Sequence, residues 1–252
     1  MDLVITAPSV VYNVNMPDGS VREVARPTDL PNPGSIESIE EPWLNISLLT
    51  PSRFVGPMMD LINTRRGLFK RTEYLDTAVA RTPMAEAMPS SDPRVMLEAS
   101  IPMAEVIVDF YDQVKTRSRG YASLDYSVAQ FQEAPLVRLD ILVNSVPVDA
   151  LSLITHRDRA YYQGKALVEQ LRKLIPRQLF EVPIQAAIGS KIIARETVHA
   201  LRKNVLAKCY GGDVTRKRKL LEKQAEGKKR MKRVGHVEVP QEAFLAVLKM
   251  DR

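Results

Sequence analysis

Apolar and polar positions between residues 39 and 132 alternate between strand-like and helix-like spacing. Period-two patterns rich in β-branched and aromatic residues predict strands at 43–49, 68–75, 95–101 and 121–128. Apolar residues spaced three or four apart predict helices after the first and third strands, and Pro102 suits the first position of the second helix. The order β-α-β-β-α-β predicts a ferredoxin-like sandwich over residues 39–132.

The residues before this domain predict only a partial one. Residues 1–16 and 20–25 have strand patterns joined by a turn at Asp18-Gly19, and residues 26–38 contain Pro27, Pro31, Pro33 and Gly34. About forty residues are too few to bury a core of their own. We therefore interpret 1–38 as the remnant of a preceding α+β domain with its linker, and the chain as a fragment.

The patterns after residue 132 predict a second α+β domain, residues 133–252. Strands are predicted at 136–143 and 148–154, a helix at 164–175, two short apolar runs within 180–194 and a further helix over 198–206. The apolar pattern then thins into a lysine-rich tail that we expect to be flexible. A stretch rich in Ala, Met, Pro and Ser, residues 77–93, is predicted to be a mobile loop. The predicted fold class is α+β throughout.

Composition excludes several classes of protein. The hydrophobic fraction of 45% can fill real cores, and no apolar run is long enough for a membrane-spanning helix. One cysteine excludes an intramolecular disulfide framework and a thiolate zinc cluster. Phosphate-binding loops, dinucleotide-binding glycine motifs and the common hydrolase and zinc-protease motifs are all missing from the sequence, and its three histidines are scattered. We predict no catalytic residue, no metal site and no cofactor in this chain.

The net charge of +6 averages two halves of opposite sign. Residues 1–133 hold 12 basic and 18 acidic residues, a net charge of −6, and residues 134–252 hold 24 and 12, a net charge of +12. Most of the excess lies in residues 191–233, with 15 basic and 4 acidic residues. So many like charges order readily only against phosphates, which release counterions on contact. Since Tyr210 is the lone aromatic residue nearby, structured RNA fits better than a single strand.

The predicted RNA-binding residues follow from this charge. In order along the chain they are His156, Arg157, Lys203, Lys208, Arg216, Lys217, Arg218, Lys219, Lys223, Lys228, Lys229, Arg230, Lys232 and Arg233. His156 and Arg157 are predicted on weaker grounds, because a surface hydrogen-bonded turn explains them as well.

Two sets of short runs in the sequence are similar to known proteins. The first set is 101–105, 118–123, Glu41-Pro42 and Arg65-Arg66-Gly67, and it resembles the ferredoxin-like domain of translational GTPases. The second set is 154–158, 174–178, 184–189, 201–213, 228–232 and 240–246. It resembles the C-terminal domain of one family only, LepA, also called elongation factor 4.

The resemblance implies a ribosome-bound GTPase that promotes back-translocation or rescues stalled ribosomes. It implies partners in tRNA and in large-subunit rRNA near the peptidyl-transferase region, and a monomer. It also implies a location in the bacterial cytoplasm or in an organelle, with peripheral membrane association in bacterial relatives. GTP and magnesium belong to the family's P-loop domain, so we expect no GTPase activity from this chain alone.

Three alternatives stay open on the sequence. The chain could be a stand-alone structured-RNA-binding protein of ribosome assembly, without GTPase activity. It could be a thiol enzyme built on Cys209, although a small residue packed near the Gly211-Gly212 turn is the simpler interpretation. It could also be a scaffold whose charges serve solubility alone.

Overall fold

A computed structural model describes residues 9–75, 92–201, 214–235 and 237–248. They belong to two compact units, which meet in the chain between Pro135 and Leu136. The first is called here the ferredoxin-like unit and the second the basic unit.

The ferredoxin-like unit is a mixed α+β structure on one antiparallel sheet. Its elements are β1 (Tyr12–Asn15), β2 (Val21–Val24), β3 (Ser38–Pro51), α1 (Val55–Thr64), β4 (Leu68–Tyr74), β5 (Arg94–Pro102), α2 (Met103–Val106), α3 (Phe110–Arg117) and β6 (Ser123–Glu133). Four of its strands lie side by side in the order β6-β3-β5-β4. Numbered within the motif, that order is fourth, first, third, second. This is the predicted β-α-β-β-α-β arrangement, and it is confirmed.

The core of this unit lies between the sheet and its helices. Alternate residues of β3 point to one face, so that Leu44, Ile46 and Leu48 are buried together against Met58 of α1 and Phe110 of α3. Asn45 and Ser47 lie on the other face of β3, together with Leu49. The helix residues of this core pack on the first face.

Two details of this unit differ from the predicted pattern. Strand β3 begins at Ser38 rather than at residue 43, because the hairpin of β1 and β2 pairs with its first residues. The predicted second helix is two pieces, α2 and α3, separated by a turn at residues 107–109. The boundary predicted at residue 38 stays a prediction, and most of 77–93 lies outside the described residues.

The basic unit is a second antiparallel sheet with helices. Its elements are β7 (Leu136–Val143), β8 (Val146–Pro147), β9 (Leu153–His156), α4 (Arg157–Leu174), β10 (Val182–Ile188), β11 (Lys191–Val198), α5 (Val214–Val234) and α6 (Gln241–Leu248). The sheet runs β11-β10-β7, and both β8 and β9 pair with β7. Its core joins Leu139 and Ile141 of β7, Leu167 and Leu171 of α4, and Ile184 of β10.

Several predicted elements of the basic unit need correction. The strand predicted at 148–154 is a helical turn at Asp149–Leu151 followed by the short β9. The helix predicted from residue 164 begins at Arg157, because His156 caps its first turn. Gly164, predicted as the helix start, lies inside α4. A Cβ at this position would be 3.0 Å from the Ala186 Cβ, so the glycine allows the helix to pack closely on the sheet. Val198, predicted to begin a helix, ends β11.

Candidate nucleic-acid interface

Helix α5 gathers most of the predicted RNA-binding residues on one element. They are Arg216, Lys217, Arg218, Lys219, Lys223, Lys228, Lys229, Arg230, Lys232 and Arg233. Lys, Arg, Leu, Glu and Gln all favour helices, and β-branched residues occur only near the two ends of α5. The sequence predicted partial disorder for this run, whereas the structure gives 21 residues of helix, about 31 Å at 1.5 Å per residue.

Most of these cations face solvent. Arg216, Arg218, Lys219, Lys223, Lys229, Arg230 and Lys232 are exposed, and Lys217 and Lys228 are half-buried. Their side chains therefore present positive charge along the whole helix, over about 24 Å between the first and the last. A rod of this length and charge suits a polyanion that extends over several phosphates.

Two carboxylates partly neutralise the helix from within. Arg218 Nε lies 3.0 Å from Glu222 Oε1, and Arg230 Nη2 lies 2.6 Å from Glu226 Oε1. Both pairs are four residues apart and exposed, and such pairs contribute only about 0.3–0.5 kcal/mol each. They are weak enough for a phosphate to replace the carboxylate as the partner of the arginine.

The C-terminal end of α5 contacts the rest of the basic unit, and one face of the helix is less exposed than the others. The half-buried residues Lys217, Leu220, Gln224 and Lys228 recur at helical spacing, so they share one face. At the C-terminal end, Asn144 Nδ2 donates to the Lys232 carbonyl at 3.4 Å. Gly235 follows, and a Cβ there would come within 2.3 Å of the Phe180 ring. Because Phe180 belongs to the core, this end of α5 is anchored to it.

The weaker candidates lie where β9 turns into α4. The His156 side chain accepts a hydrogen bond from the Asp158 amide at 3.3 Å and so caps the helix. Arg157 is exposed in the first turn. A structural role thus explains His156, whereas Arg157 is available to a partner. Lys203, Lys208 and Cys209 lie outside the described residues.

The sequence did not reveal a cluster of ion pairs inside the ferredoxin-like unit. The Arg66 guanidinium binds both carboxylate oxygens of Glu41, at 2.7 and 2.9 Å, and donates from Nε to Glu105 at 3.2 Å. Arg65 Nη2 lies 2.7 Å from Asp109 Oδ2. Burial opposes the charge on Arg66, but the hydrogen bonds and charges of Glu41 and Glu105 outweigh it and raise its pKa.

Residues 9–75, 92–201, 214–235 and 237–248 contain no group of three or more His, Cys, Asp or Glu side chains that could hold a metal ion. In the same part of the chain, the helices are too short or too polar to cross a membrane.

Comparison with known proteins yields two family models and a set of close relatives. Residues 143–249 match the model for the GTP-binding protein LepA C-terminus, and residues 80–142 match the model for the elongation factor G C-terminus. Proteins called elongation factor 4 are similar to the whole chain. The one from Synechococcus elongatus is 55% identical over 252 residues, and the one from Symbiobacterium thermophilum is 56% identical over 251. The chain spans 39% of the length of each.

Proposed function

The chain belongs to the LepA (elongation factor 4) family and matches the C-terminal part of its members, and we propose that it is the RNA-binding part of a translation factor that works on the ribosome. The family relation supports translation and a ribosomal partner. The structure supports RNA as the ligand through α5.

The observation that carries the proposal is the concentration of exposed cations on one anchored helix. Helix α5 holds ten basic residues and only Glu222 and Glu226 as acidic ones. Like charges at this density repel one another, and the exposed i,i+4 pairs are too weak to compensate. Phosphates supply the missing opposite charge, and the release of their counterions drives binding.

The partners are proposed at finer detail from the resemblance. We assign α5 to tRNA and to large-subunit rRNA near the peptidyl-transferase region, and the whole factor to GTP-dependent back-translocation. No residues of this chain are assigned to GTP hydrolysis, because the 252 residues contain no phosphate-binding loop. A factor that works on ribosomes would be found in the compartment that holds them, the bacterial cytoplasm or the interior of an organelle.

The test is the affinity of the chain for tRNA as a function of salt. If six to ten phosphates are contacted, affinity should fall about 10³- to 10⁵-fold between 50 and 200 mM salt. Replacing Lys219, Lys223, Lys229 and Lys232 by Gln should reduce the slope of log affinity against log salt by roughly 3–4. The same variant should lose co-sedimentation with ribosomes.

A matched control removes the same charge elsewhere. Arg22, Lys70, Lys115 and Arg117 are exposed on the ferredoxin-like unit. Their replacement by Gln should change the slope by less than about 1. A flat salt response of the wild-type chain, or equal slopes in the two variants, would refute the assignment of RNA binding to α5. Loss of solubility with unchanged RNA affinity would favour a charge-bearing scaffold.

A further inference from the structure

Helix α4 exposes two adjacent tyrosines. Tyr161 is 50% exposed and Tyr162 is 72% exposed. Their ring centroids are 5.5 Å apart and the ring planes are nearly perpendicular. Each ring therefore offers solvent an apolar surface that the core of the basic unit does not use, while Ala160, Gln163 and Gly164 take the buried positions of the same turns.

Basic residues flank Tyr161 along the helix, whereas Asp158 and Ala166 hold the corresponding positions around Tyr162. Arg157 lies four residues before Tyr161 and Lys165 four residues after it, and all three are exposed. Residues four apart share a helix face and are separated by about 6 Å along its axis. Over its 18 residues α4 carries five basic residues, Arg157, Arg159, Lys165, Arg172 and Lys173, against Asp158 and Glu169. A ring with a cation on either side is the arrangement that holds a base and its neighbouring phosphates.

Among the residues that the structure describes, this combination distinguishes α4 from the charged and aromatic surfaces considered next. Helix α5 contains no aromatic residue, so its charges can hold a phosphate backbone but cannot stack on bases. The exposed Tyr126 belongs to the ferredoxin-like unit, where acidic residues are in excess. Tyr111 of that unit already contacts a cation, with Lys115 Nζ 4.3 Å from its ring centroid.

We propose that Tyr161 and Tyr162 form a stacking site for unpaired bases of an RNA strand, with Arg157 and Lys165 on the adjacent phosphates. The inference rests on the proposed function and extends it. Helix α5 would hold the backbone of a structured RNA, and α4 would hold bases that leave the duplex.

The test compares three RNA hairpins in binding to the full chain. One has a blunt end, one has a four-adenosine 3′ overhang, and one has an overhang of abasic sugars. The wild-type chain should prefer the adenosine overhang to the abasic one, since only bases can stack. The double substitution Tyr161→Ala and Tyr162→Ala should weaken binding of that hairpin about 5- to 150-fold for each base stacked. It should leave binding of the blunt hairpin unchanged.

Two further variants separate stacking from other roles of the tyrosines. Tyr161→Phe with Tyr162→Phe keeps the rings and should keep the preference for the adenosine overhang. Tyr126→Ala removes a similarly exposed tyrosine from the other unit and should have no effect on any hairpin. Because both α4 tyrosines are exposed and alanine favours helices, circular dichroism of the alanine variant should match that of the wild type.

The outcomes distinguish this inference from the proposed function. A steep salt response with equal affinity for adenosine and abasic overhangs would overturn the stacking site and leave α5 as the RNA contact. The same affinities in the alanine variant and the wild type would also overturn it, and would point to a protein partner for the tyrosines. If the wild-type chain binds no hairpin at all, both proposals fail together.

Discussion

The two units differ in how their arginines are buried and paired. In the ferredoxin-like unit, Arg65 is buried and Arg66 is half-buried just after α1, and both are held by Glu41, Glu105 and Asp109. In the basic unit, Arg218 and Arg230 of α5 are exposed, and each pairs with one carboxylate one turn away. Arginine side chains thus stabilise the fold in one unit and remain accessible to a ligand in the other.

The difference shows what net charge alone conceals. A buried guanidinium that satisfies two carboxylates is tied to the fold, since removing it leaves charges stranded away from water. An exposed guanidinium in a weak pair can exchange its partner at almost no cost. The positive charge that serves binding in this chain is therefore carried by the exposed, weakly paired cations. Substitutions can test both the arginines that hold the fold and the arginines that are open to a ligand.

The largest effect is expected from Arg66→Met, which removes the half-buried positive charge and keeps an apolar stem. Glu41, which is 1% exposed, would lose the guanidinium that binds both of its oxygens. Breaking a buried pair from one side costs about 3–5 kcal/mol. Urea unfolding of the ferredoxin-like unit should report this loss of stability. Without urea, where the ferredoxin-like unit of the variant is still folded, binding of tRNA through α5 should persist.

The matched control is Arg71→Met. Arg71 also binds both oxygens of one carboxylate, that of Glu98, at 2.8 and 2.9 Å, but its side chain is 64% exposed. Water screens this pair, so the unfolding midpoint should move far less. Equal shifts for Arg66→Met and Arg71→Met would contradict the role given to burial.

The sequence predicted the order of elements much better than their partners. Period-two and helical spacing located every strand of the ferredoxin-like motif. One-sided burial explains the pattern in β3 and β5, whereas β4 and β6 are almost wholly exposed. The same patterns could not show that Arg66 reaches Glu41 and Glu105. Those residues are 25 and 39 positions away, and only the fold brings them together. Net charge predicted the cations of α5, whereas the two tyrosines of α4 have no periodic signal.

A smaller effect is expected from Gly235→Ala, which tests whether α5 is anchored. The new Cβ would lie 2.3 Å from one carbon of the Phe180 ring and 2.5 Å from another, so the ring or the end of the helix must move. Overpacking of this kind costs about 1–3 kcal/mol. Thermal unfolding of the basic unit should show the loss, and tRNA affinity should fall if the helix changes direction.

Gly227→Ala is the control within the same helix. A Cβ at Gly227 meets no atom within 4 Å. Alanine there should stabilise the helix by roughly 0.5–1 kcal/mol, since glycine loses more backbone entropy on folding. If the two alanine variants unfold alike, the C-terminal end of α5 is not held by Phe180.

The smallest effect on stability, and an increase in binding, is expected when the two internal carboxylates of α5 are neutralised. In Glu222→Gln with Glu226→Gln, Arg218 and Arg230 lose pairs that contribute about 0.3–0.5 kcal/mol each, so unfolding should change by less than about 1 kcal/mol. Two cations then become available to phosphates without competition. Affinity for tRNA should rise, and the slope of log affinity against log salt should steepen by up to about 2.

The control is Glu23→Gln with Glu133→Gln, which makes the same charge change at exposed positions of the ferredoxin-like unit. It should change neither the affinity for tRNA nor the slope. Tighter binding in both variants would mean that RNA senses only the total charge, and the contrast between buried and exposed arginines would then not explain where RNA binds.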